Sequence, residues 1–120
     1  MTATAADIAA TYFRAWIAKD FQTLRSILAD EVTFDGPLAK LQGAQDVAAG
    51  LERLAQITSD ITIRKRFVDG QDVLTWFDLH TTIAPPVAVA NWSRVEEGKV
   101  TRIAVAFDPR EIIAGSAPRQ

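Results

Sequence analysis

Near Thr58 the chain changes its hydrophobic period, and that one change most restricts what it can fold into. Before it, apolar residues mostly recur every three to four positions, the spacing that places them on one face of a helix. After it come runs rich in β-branched residues, separated by short turns. The first helix is expected over Ala3–Ala18, with Ile8, Tyr12, Phe13, Trp16 and Ile17 on one face. Asp20 is placed to cap a second, Phe21–Leu28, because its short side chain can accept a free amide of the first turn. A short strand, Glu31–Asp35, stops at Gly36-Pro37, and a loop runs to Gly43. A third helix spans Ala44–Ile57, with Val47, Leu51, Leu54 and Ala55 inward. Four strands follow: Ile61–Val68, Val73–Ile83, Val87–Val95 and Val100–Phe107. Asp69-Gly70 is a hairpin signal, because its turn needs positive φ. Pro85-Pro86 and Glu96-Glu97-Gly98-Lys99 mark the other two turns. Helices segregated from antiparallel strands define an α+β chain whose helices cover one face of the sheet. No repeat or linker divides it, so residues 1–115 are expected to form one domain and 116–120 a mobile tail.

Composition narrows the function classes. Of 120 residues 48% are hydrophobic and 23% charged, enough apolar material to offset the entropy of ordering a core. No apolar stretch approaches the ~20 residues of a membrane helix. The first residues, Met1 to Ala6, lack the basic start and apolar centre of a signal peptide, which makes the cytoplasm the expected location. Thirteen basic against fifteen acidic residues leave a net charge of −2, without the basic face that phosphate backbones require. Neither nucleic acid nor membrane is an expected partner. With no cysteine and a single histidine there is no disulfide, no thiol nucleophile and no usual metal-ligand spacing, so neither metal nor cofactor is expected.

Three stretches, YFRAWIAKDFQTLRSILADEVTFDGP, GAQDVAAGLERL and VANWSRVEEGKVTRIAVAFDPREI, span nearly the whole chain. They resemble the nuclear transport factor 2-like superfamily, which includes steroid Δ-isomerases, limonene-epoxide hydrolases, scytalone dehydratases and SnoaL-like polyketide cyclases. The resemblance implies a cystatin-like cone: a curved antiparallel sheet wrapped around the helices, with a deep apolar pocket at one end. It also implies pairing of two chains through the outer face of the sheet. The superfamily hosts enzymes and non-enzymes alike, so activity must be sought in the pocket.

Beside the steroid isomerases, Tyr12 falls on the tyrosine that stabilises an oxyanion, and Asn91 on the position of its acidic partner. Their carboxylate base is replaced by Gly36, with Asp35 one residue earlier. Beside the epoxide hydrolases, Asp78 keeps one aspartate, Trp76 replaces the arginine and Val105 the second aspartate. Asp35 matches a water-holding asparagine, and Thr33 replaces the tyrosine. The chain is therefore expected to be neither a true steroid isomerase nor a limonene-epoxide hydrolase.

Strand residues two apart share a face. If the borrowed register puts Asp78 in the pocket, Trp76 and His80 accompany it, and Phe77 and Leu79 point outward with Trp92. Asp78 and His80 would then form a proton-moving pair, or a cross-strand structural pair at the rim. Tyr12 and Trp16, four apart on the first helix, form either a pocket floor or plain core. Asp35 is a pocket base or a turn-former. The expected site thus comprises Asp78, His80, Asp35 and Tyr12 as catalytic groups, with Trp16, Trp76, Asn91, Val105 and Phe107 against the ligand. The expected function is a small-molecule pocket for an apolar, oxygen-bearing compound, either a cofactor-free acid/base enzyme or a non-catalytic binding or dimerisation module. The expected partners are that ligand and a second copy of the chain, seated on an outer face bearing Phe77, Leu79 and Trp92.

Overall fold

The computed structural model describes residues 3–116. Helices α1 (Ala5–Ala18), α2 (Phe21–Ser26) and α3 (Ala44–Ile57) enclose β1 (Leu28–Asp35) and β2 (Lys40–Gln42) in sequence. Strands β3 (Thr58–Asp69), β4 (Asp72–Thr81), β5 (Val87–Glu96) and β6 (Lys99–Ala106) follow, and α4 (Arg110–Ser116) closes the order. The six strands form one open sheet in the order β2-β1-β6-β5-β4-β3. All neighbours are antiparallel except β1 and β6, which run parallel.

Local chemistry explains most boundaries. Thr4 and Asp7 exchange hydrogen bonds as a capping box at the start of α1. Asp20 accepts from the Thr23 amide and starts α2. The β3–β4 turn carries Gly70 at φ 60°, and the β5–β6 turn carries Glu97 at 53° and Gly98 at 75°, the two positive angles of a tight hairpin turn. Helix α3 runs into β3 without a loop. Thr58 at that junction accepts from the Trp16 indole at 3.1 Å and donates to the Leu54 carbonyl at 2.8 Å, tying α1 to both.

Three features differ from expectation. Helix α2 stops at Ser26 rather than Leu28, because Leu28 already pairs with Val100 and the Ile27 carbonyl accepts from the Val100 amide at 2.7 Å. The loop before Gly43 contains β2, whose Lys40, Leu41 and Gln42 pair with Asp35, Phe34 and Thr33. Both are long-range pairings that local periodicity does not register. The chain beyond Asp108 forms α4, with Ile112 buried against the core, so Ser116 ends a helix instead of opening a tail. The remainder of the expected tail, 117–120, lies outside the described residues.

The sheet wraps its concave face around α1 and α3. Shifts of register between Ile63 and Lys65 and between Arg94 and Val95 bend the long strands. Along β4 the alternation is clean: Val73, Thr75, Phe77 and Leu79 are buried, while Leu74 and Trp76 are exposed. The Phe77 ring meets Phe13 at 5.1 Å and Trp16 at 5.9 Å, both edge to face. This corrects the expected register. Phe77 and Leu79 face inward, so Trp76, Asp78 and His80 face outward, since a one-residue offset reverses every side chain of a strand. The physical reason is that the inward set carries no charge, whereas the alternative would bury Asp78 and His80. Leu79→Ala is therefore expected to cost about 2–5 kcal/mol of stability, and His80→Ala under about 1 kcal/mol, in urea denaturation. Equal costs would restore the other register.

Candidate cavity and its polar end

A cavity of about 310 Å³ lies between the concave sheet, α1 and α3, with its mouth at the β1–β2 loop and α4. Tyr12 and Trp16 come from α1, Phe77 and Leu79 from β4, and Val89 and Asn91 from β5. Val105 and Phe107 at the end of β6 complete the wall, and Gly50, Arg53, Leu54 and Ile57 line it from α3. The mouth carries the exposed Pro37, Leu38, Arg53 and Ser116. The lining is mostly aliphatic and aromatic, so its few polar atoms decide what it can recognise.

Those atoms are unevenly committed. The Trp16 indole N–H is spent on Thr58. Ser93, also buried, donates to the Asn91 side-chain oxygen at 3.0 Å, which turns the Asn91 amide nitrogen away from that contact. Tyr12 and Asn91 are only 1% and 2% exposed. Burial pushes the Tyr12 phenol above the ordinary tyrosine range, and Asn91 close by pulls it back only in part. The two side chains approach without reaching hydrogen-bond geometry. The Tyr12 hydroxyl is the one buried side-chain polar atom without a partner among the described residues. A buried hydroxyl left unpaired costs roughly 1–3 kcal/mol, so its position is informative.

The other candidates lie elsewhere. Asp78 accepts a hydrogen bond from the Arg64 side chain at 2.8 Å on the outer face. His80 bonds through Nε2 to the Thr62 hydroxyl at 3.0 Å on the same face. Trp76 is 44% exposed there. The Asp35 side chain is 64% exposed and sits 4.0 Å from the Lys40 ammonium. Gly36 lines the cavity in its stead, and a Cβ added there would lie 3.1 Å from the Phe34 ring. Residue by residue, the sequence-expected set therefore divides. Tyr12, Trp16, Asn91, Val105 and Phe107 share one cavity, whereas Asp35, Trp76, Asp78 and His80 stand outside it. Among the described residues, no carboxylate or histidine lines the cavity, and no cluster of three His, Asp or Glu could hold a metal ion. No described helix is long and apolar enough to cross a membrane.

Among the lining residues outside the expected set, Arg53 is the charged one. A signal existed, because Gly50, Arg53, Leu54 and Ile57 share one helical face by spacing. Ile112 is hidden for a different reason: α4 is a helix of only seven residues, too short for periodicity to reveal.

Since Tyr12 is the chain's single tyrosine, its ionisation can be read alone. The folded state holds the phenol proton more tightly than the unfolded chain does. Its contribution to stability is intact below about pH 10, the unfolded value, and falls as pH rises beyond it. Tyrosinate absorbance is expected to stay absent past pH 10 in the folded protein and to appear on unfolding. Tyr12→Phe should abolish this alkaline loss and raise stability by about 1 kcal/mol.

The comparisons with known proteins agree with this architecture. The chain resembles a solved protein from Kribbella flavida DSM 17836 at 26% identity and TM-score 0.85, covering 91% of this chain and 90% of that one. A nuclear transport factor 2-like protein of unknown function from Cytophaga hutchinsonii matches at 23% identity and TM-score 0.83, over 94% and 97%. An LEH-like epoxide hydrolase of M. tuberculosis matches at 22% and 0.78, over 95% and 90%. At such identities the latter two speak for the fold alone. No curated protein matches the chain by sequence. A family model covers residues 9–103, and with the cone and its cavity in place the chain belongs to the SnoaL-like domain family.

Proposed function

We propose that the protein binds a compact, mostly apolar small molecule in this cavity and meets an oxygen of it with the Tyr12 hydroxyl and the Asn91 amide. The observation that carries the reading is the unpartnered, buried Tyr12 hydroxyl in an apolar wall. A donor held neutral by its surroundings suits a carbonyl or hydroxyl oxygen in a site of low dielectric.

The binding reading is favoured over the acid/base enzyme. Proton transfer needs a base within hydrogen-bond reach of the substrate, about 2.6–3.2 Å or one water away. Asp78 and His80 are on the opposite face of the sheet, and Asp35 is turned to solvent and Lys40. At the positions of the isomerase base and the second hydrolase aspartate, Gly36 and Val105 line the wall. Isothermal titration with carvone, a neutral ketone, tests this. Saturable binding is expected, weakened about tenfold by Tyr12→Phe and unchanged by Asp78→Asn or His80→Ala. Binding that ignores Tyr12→Phe would overturn the reading.

The outer face has its own occupant in this proposal, a second copy. Phe67, Leu74, Trp92 and Ala104 stand in register across β3, β4, β5 and β6, and Trp76 with Ala90 forms the next row. These residues replace Phe77 and Leu79 in the expected interface. Four large side chains there, Phe67, Leu74, Trp76 and Trp92, are at least 40% exposed, a patch that a lone soluble chain seldom presents. Asp72 accepts from the Trp92 indole and from Arg94, and the Arg102 guanidinium lies over the Trp92 ring at 5.3 Å. Mixed charge around an apolar stripe is self-complementary, as a two-fold interface requires. Sedimentation should give twice the 13.1 kDa of one chain, and Leu74→Glu should return a single-chain mass. A monomeric wild type at micromolar concentration would refute the pairing.

A further inference from the structure

Arg53 gives the mouth of the cavity a chemistry of its own. Among the described residues, it is the only lining side chain that carries a full charge at neutral pH. The ion pairs among the described residues use Lys40, Arg64, Arg94 and Arg110, and Arg53 takes part in none. Its helix offers no partner either: the positions three and four away hold Ala49, Gly50, Gln56 and Ile57. Yet the guanidinium does not stand straight out into water. Its Nη2 lies 3.8 Å from the place where a Cβ on Gly50 would sit, and Gly50 is itself part of the wall. The side chain thus folds back along the helix over a residue that has no side chain to block it.

Among the described residues that line the rim, no acidic side chain competes for that cation. Pro37 and Leu38 are apolar, and the Ser116 hydroxyl donates to the Ile112 carbonyl at 2.8 Å. Resting on the reading of the cavity as a small-molecule site, we propose that its occupant is a compact apolar carboxylic acid. The carboxylate pairs with Arg53 at the mouth, the apolar body fills the cavity, and a hydroxyl or carbonyl at the far end meets Tyr12 and Asn91. A guanidinium suits the first contact because its planar fork matches both carboxylate oxygens, while its stem packs on apolar wall. The volume, at the lower end of the roughly 300–1,000 Å³ of small-molecule sites, suits one ring or a medium chain.

Calorimetric titration with para-coumarate and its methyl ester tests the proposal, because the two share the ring and the phenol and differ at one end, a carboxylate against a neutral ester. The acid should bind at least about tenfold more tightly than the ester, as expected of a hydrogen bond between charged groups. In Arg53→Gln the acid should fall to the ester's affinity, with the ester unchanged. Raising the salt should erode the acid's advantage at this exposed rim. Tyr12→Phe should weaken acid and ester alike. Equal affinities in the wild type, or an advantage that survives Arg53→Gln, would overturn the acid assignment and leave the cavity reading standing. Failure of acid, ester and carvone all to bind at millimolar concentration would overturn both.

Discussion

Tyr12, Phe13 and Trp16 on α1 and Phe77 on β4 form a cluster of rings, mostly edge to face, at centroid separations of 5.1–6.1 Å. Edge-to-face pairs are each worth about 0.5–1.5 kcal/mol beyond the area they bury. Their larger consequence is directional. Once Phe77 is locked onto α1, the parity of β4 is set, and the ladder passes it on: Asn91 pairs with Thr75 and Val105 with Asn91, all facing inward. The same choice sends Trp76, Asp78 and His80 to the outer face.

The cavity follows from what that packing leaves unfilled. Helix α1 packs on β3, β4 and β5, whereas α3 packs mainly on β1 and β2. A curved sheet cannot be filled by two straight helices along its whole length. The space left is lined by aliphatic and aromatic groups, with Tyr12 and Asn91 as its buried polar end and Arg53 as its charged mouth. The two ends differ physically. Tyr12 is a donor with no protein acceptor in a mostly apolar wall. Arg53 remains partly solvated, so its field is screened by salt.

The outer face shows why an apparent catalytic pair can be structural. Aspartate and histidine two apart on a strand satisfy a motif, but their neighbours absorb both. Arg64 takes Asp78, and Thr62 takes His80. Those partners come from β3, whose bulge between Ile63 and Lys65 resets which side chains meet β4. An offset of that kind is invisible to spacing along a single strand.

Much of this was legible in the chain itself. The limits of α3, the cap at Asp20 and the turns at Gly70 and Gly98 are local effects of periodicity, capping and positive φ. They need no tertiary partner, so sequence alone determined them. The inner set of β4 was legible too: Val73, Thr75, Phe77 and Leu79 carry no charge, whereas the alternate set holds Asp72, Asp78 and His80. The resemblance to related enzymes implies the opposite register, because a shared fold does not fix the parity of a strand. What only the tertiary structure decided are the long-range pairings and close approaches. The parallel docking of β1 on β6 shortened α2, β2 formed against β1, and α4 closed over the mouth. Each depends on segments distant in sequence burying backbone and apolar surface together. Arg53 completes the contrast: its place on the helix was in the sequence, but its place on the cavity wall, outside the ion pairs of the described residues, was decided by the fold.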